Sequence, residues 1–142
     1  MTDKRDHRNL QQIERIRQVR CTRLQGRLAI LRRDAELLEG ENQAAVAKRQ
    51  ALREDKARSA VASTLHSGHR VAGKALHATA RRQQYLAVAV AEIDEQIAAL
   101  ASRAMHVSKQ IGECETDLSV AQRNMLRLRE LIKLSFRPFR RG

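Results

Sequence analysis

Fourteen apolar residues recur between Leu86 and Ile132 at alternating steps of four and three, without a miss. The series runs Leu86, Val90, Ile93, Ile97, Leu100, Ala104, Val107, Ile111, Cys114, Leu118, Ala121, Met125, Leu128 and Ile132. In a chain that is 42% apolar, such a run arises by chance about once in 10^5 for a given register. A 3.5-residue period keeps one narrow stripe of a slightly underwound helix facing a partner helix, the signature of a left-handed coiled coil. The function of such a chain lies in what a long, thin structure can do, and not in a pocket.

The rest of the sequence agrees with helix. One Tyr, two Phe and no Trp among 142 residues supply too few large side chains for a globular core. The single proline, Pro138, leaves everything before it free to be helical. Ala, Leu, Arg, Gln and Glu dominate, and all are good helix formers. The fold class expected is all-α. The charged start MTDKRDHRN has no following apolar stretch and reads as no secretory signal. The longest apolar run, from Tyr85 to Ala91, is too short for a bilayer crossing, which takes about 20 residues. Two distant cysteines suit a reducing compartment, so a cytoplasmic location is expected.

A second, weaker heptad pattern occupies the first half. Leu24, Leu28, Leu31, Ala35, Leu38, Asn42, Ala45 and Leu52 share one seam, and Leu10, Ile13, Ile16 and Val19 continue it upstream only with a shift of phase. Asn42 is a polar seam residue of the kind that fixes register, and Gly40 is expected to bend the helix. Between the arms, residues 63–74 hold two of the six glycines and no heptad. This predicts a turn with Gly68 as a left-handed C-cap.

The expected architecture is therefore a single antiparallel two-helix coiled-coil hairpin over residues 1–142. Arm 1 covers about 3–64, the turn about 65–74, arm 2 about 75–135, and a basic tail 136–142. Each arm of about 60 residues would be about 90 Å long. Reversal near Ser67 and Gly68 sets residue i roughly opposite residue 136 − i, which puts Cys21 opposite about residue 115, beside Cys114. Alanine-rich sequence near the turn buries little area, so that half should be the softer one.

The net charge of +12 is uneven. Residues 1–33 carry ten basic side chains against three acidic ones, and residues 118–142 carry seven against one. The stretch 34–117 carries eleven against twelve. An antiparallel hairpin brings both basic segments to one end, and self-repulsion there calls for an anionic partner. Arginine outnumbers lysine in both segments, which favours bidentate contact with carboxylate or phosphate.

Motifs that invite catalytic readings fail on inspection. The stretch from Gly68 to Ala75 is one residue short of a phosphate-binding loop, lacking the hydroxyl that would hold magnesium and any preceding strand. His66, His69 and His77 gather near the turn without a carboxylate or cysteine to complete a metal set. No nucleophile, base and orienting group could be held together without a concave site. The reading is a non-enzyme with no cofactor and no metal. At the C-terminus Leu131, Leu134, Phe136 and Phe139 interleave with Arg137, Arg140 and Arg141, a basic and apolar mixture suited to docking.

The 86–132 heptads, the turn near Ser67 and Gly68, and the arginine-rich ends at 5–33 and 123–141 together resemble the FliJ/YscO-type central stalk of the type III secretion export apparatus. The resemblance implies a cytoplasmic hairpin, peripheral to the inner membrane when assembled, whose open end enters the pore of a hexameric export ATPase. Its tip would reach the membrane-embedded export gate, and secretion chaperones would bind elsewhere. By position, Arg5, Arg8, Arg15, Arg17, Arg127, Arg129, Lys133 and Arg137 would contact the ATPase, and Leu65, His69, Val71 and Leu76 the gate. ATP chemistry would belong to the ring, and the stalk would act as a monomer. Two other classes compete. A basic nucleic-acid-binding hairpin fits the charge, although aromatics for stacking are nearly absent. A structural coiled-coil scaffold would pair copies through the 86–132 seam.

Overall fold

A computed structural model describes the backbone of residues 2–68 and 73–136 and the side chains of residues 4–62 and 73–135. Two helices account for all of it: α1, Thr2–Gly68, and α2, Gly73–Phe136. They pack against each other as an all-α, antiparallel two-helix coiled-coil hairpin. Each helix contributes to two compact units. Unit 1 is Met1–Ala35 with Val107–Gly142, and unit 2 is Glu36–His106.

The α2 seam packs as its period dictates. Of its fourteen residues, Leu86, Ile93, Leu100, Cys114, Ala121, Met125 and Leu128 are buried, and six others are half-buried. The exception is Ala104, whose single methyl is exposed.

Unit 1 holds two apolar clusters. Cys21, Ala121 and Met125 form one, and Leu28, Leu31 and Cys114 form the other, with Leu24 and Leu118 packed against both. The Cys114 thiol donates to the Leu24 carbonyl at 3.4 Å. The two cysteines therefore sit in separate clusters, each free and buried, and the expected pairing of Cys21 with residue 115 is corrected. The cause is the position of the reversal. Helix α1 continues to Gly68, so residues 65–68, expected in the turn, belong to it, and α2 begins at Gly73. Contacts such as Glu14 with Arg129 and Arg17 with Asn124 give partner numbers that total about 142 instead of 136. Gly68 is the last residue of α1, and the residues that would complete the expected cap there lie outside the described set.

The upstream phase shift is also absent. Below Leu24, the inward positions of α1 are Cys21, Arg17, Glu14 and Leu10, in unbroken continuation of the same heptads. Ile13, Ile16 and Val19 point outward, at 40%, 63% and 50% exposure. A phase shift would require local over- or underwinding. Staying in phase requires only that two polar side chains find partners at the seam, and both do. Arg17 donates to the Asn124 carbonyl at 3.0 Å, and Glu14 meets Arg129 at 3.2 Å.

Unit 2 is held by a thinner core. Leu38, Ala45, Leu86, Ile93 and Leu100 are buried, and Asn42 is half-buried on the same seam. Arg49 reaches across to Asp94 at 3.2 Å from a half-buried seam position. Farther along, Ser59 is buried with its hydroxyl unpartnered, beside a cavity shared with Asp55, Ala62, Ala78, Thr79 and Arg82. Both clusters of buried apolar residues seen among the described residues belong to unit 1. Helix α1 runs through Gly26 and Gly40 without ending.

Candidate functional site

Packing the seams of unit 1 brings the two basic segments of the sequence onto neighbouring helices. The unit contains 18 basic and 8 acidic residues, a net charge of +10, whereas unit 2 carries 10 and 8, a net of +2. Within unit 1, Arg32 pairs with Glu115 at 3.3 Å and Arg129 pairs with Glu14 at 3.2 Å.

The structure divides the eight cations assigned to a partner. Arg5, Arg8, Arg15, Arg127 and Lys133 are exposed and form no ion pair with the described residues, so their charge is directed to solvent. Arg17 and Arg129 are different. Arg17 is half-buried and spends its guanidinium on a carbonyl of α2. Arg129 binds both the Glu14 carboxylate and the Gln18 amide oxygen at 3.2 Å, forking over one turn of α1. Both brace the hairpin, a role that hydropathy alone does not reveal. Arg137 lies outside the described residues.

Of the four residues assigned to the tip, only Leu76 has a described side chain, and it is 41% exposed. Leu65 belongs to α1 but its side chain lies outside the described set, as do His69 and Val71 entirely. Elsewhere in unit 2, Tyr85 is 71% exposed and Met105 76% exposed on α2. Sequence reading also missed that Arg20, Arg23 and Arg27 stand exposed on the same helix as the outward Ile16, Val19 and Ile30. The outward heptad positions of α1 carry that signal in the sequence.

Concave chemistry is sparse. A cleft of unit 1, lined by Arg17, Arg20, Asp117, Val120, Ala121 and Asn124, holds about 270 Å³ and opens to solvent. No group of His, Cys, Asp or Glu among the described residues is arranged to hold a metal ion. No described helix is long and apolar enough to cross a membrane.

These features define a class: a two-helix coiled-coil hairpin with a strongly cationic unit that carries both chain ends. No protein-family model, curated protein or solved structure matches the chain.

Proposed function

We propose that this chain is a non-enzymatic central stalk of a type III secretion export ATPase complex. Unit 1 enters the hexameric ring, and the hairpin turn approaches the export gate in the inner membrane. The observation that carries the reading is the gathering of 18 basic residues into the unit formed by the two chain ends. A ring that hydrolyses ATP in sequence needs an axle with unequal faces, and two dissimilar helices packed antiparallel supply one. Exposed arginines on long side chains hold acidic walls through screened contacts that exchange readily, which suits an axle that must turn.

The assignment narrows to residues whose charge is not already used within the hairpin. Arg5, Arg8, Arg15, Arg127 and Lys133 are the ring contacts, and Arg17 and Arg129 preserve the paired helices that present them. Leu76 is the describable residue of the gate contact. The test mixes the chain with an export ATPase and measures hydrolysis and hexamer formation. Both should rise, and replacing Arg5, Arg8 and Arg15 with Glu should abolish the rise while leaving helicity intact. An unchanged ATPase refutes the stalk. Tight binding to duplex DNA that collapses as salt is raised would favour the nucleic-acid reading.

A further inference from the structure

Directly opposite the packed seam, α1 carries a second stripe. Ile16, Val19, Arg23, Gly26 and Ile30 follow one another at steps of three, four, three and four, the same 3.5-residue rhythm on the solvent side. Ile16 is 63% exposed, Val19 50% and Ile30 64% among the described residues. Three of the five are apolar, with Arg23 and the bare Gly26 between Val19 and Ile30, and apolar residues held to heptad spacing on an exposed face can pack against a further helix.

Gly26 lies on the same stripe. It lies inside a long helix, where glycine weakens the structure, and it has no positive φ that would require it. A Cβ built there meets nothing within 4 Å, so none of the described residues requires the missing side chain. A bare backbone between Val19 and Ile30 makes sense if another backbone approaches it closely from outside.

The charge around the stripe selects the occupant. Arg15, Arg20 and Arg23 line a shallow groove with Ile16 and Val19, and no acidic residue occurs between Glu14 and Asp34. Glu14 itself is turned toward Arg129. A second copy would bring another unit of net +10 against this face and be repelled. We infer that the outer face of α1 from Ile16 to Ile30 is a docking site for an acidic amphipathic helix of a partner protein. Its apolar residues lie at heptad spacing along the stripe, and its Asp and Glu residues meet the flanking arginines. The inference stands independently of the stalk reading.

The test uses the full chain and a fluorescein-labelled peptide of three heptads, with Leu at both seam positions and Glu at the flanking positions. A peptide of the same composition in scrambled order and a duplex DNA serve as competitors. Fluorescence anisotropy at physiological ionic strength should show the patterned peptide binding about tenfold or more tighter than the scrambled one. Ile16→Asp and Ile30→Asp should each weaken it by about tenfold with helicity retained, both positions being largely exposed. Gly26→Gln should raise the melting temperature yet weaken peptide binding, a combination that a merely structural role for the glycine does not give. Equal affinity for both peptides would overturn the proposal, leaving only bulk charge attraction. So would binding that survives both aspartate substitutions, or displacement of the peptide by DNA with no preference for the patterned order.

Discussion

Truncating one leucine and one isoleucine twelve residues apart distinguishes the observed seam from the phase-shifted one. Leu28 is 6% exposed in the cluster with Leu31 and Cys114. Leu28→Ala removes three carbons from this site, each worth about 0.8 kcal/mol when buried. A two-helix seam is open to solvent along both flanks and collapses easily around a deletion, so the cavity penalty is small. The expected loss is about 2.5 kcal/mol, near the low end for buried leucines. Ile16 is 63% exposed, so only about a third of the same truncation costs anything, about 0.9 kcal/mol. Replacing a β-branched residue by alanine returns about 0.4 kcal/mol of helix propensity. Ile16→Ala should therefore change stability by about 0.5 kcal/mol or less. Urea titration followed by circular dichroism at the helix band measures both. If Ile16→Ala costs as much as Leu28→Ala, Ile16 is in the core and the observed phase of α1 is wrong.

Other outcomes follow from individual contacts. A double-mutant cycle on Glu14→Ala and Arg129→Ala should give a coupling of about 0.3–1 kcal/mol that fades in high salt, since both groups are partly exposed; a salt-independent coupling would contradict a solvent-screened pair. Gly40→Ala should stabilise the chain by about 0.5–1 kcal/mol in the same titration, because the added Cβ meets nothing within 4 Å. Cys21 should crosslink within one molecule to cysteine introduced by Ala121→Cys, its neighbour in the packed cluster. It should not crosslink to Cys114, and non-reducing electrophoresis of the two variants reads the difference.

The sequence made the pairing of two long helices legible because a 3.5-residue period admits few other uses. It was less informative where polarity and phase disagreed. Glu14 and Arg17 are poor seam residues by hydropathy, so Ile13, Ile16 and Val19 attracted the seam to themselves. The energetics reverse that choice, because Glu14 and Arg17 each have a partner on α2, and a paired polar group costs far less than an unpaired one. The register slipped for a geometric reason. Residues 63–68 read as turn by composition, yet α1 incorporates them, since extending an existing helix adds a hydrogen bond for each residue fixed. Moving the centre of reversal by about three residues shifts every facing pair by about six, which suffices to separate Cys21 from Cys114. For the site, the charge asymmetry was visible in the sequence. Which arginines are committed to holding α1 against α2 depends on side-chain reach across the seam, and that required the structure.

The central claim is that the chain doubles back so that its two basic segments lie on adjacent helices. Spin labels at Arg8 and Lys133, both exposed residues of unit 1, test it most directly in a sample diluted with unlabelled protein. Paired helices 8–10 Å apart, with the added reach of the labels, predict a single separation of about 20 Å or less. A chain that continued as one helix would place the labels about 190 Å apart, so an absent dipolar coupling in the diluted sample would contradict the hairpin and every contact assigned from it.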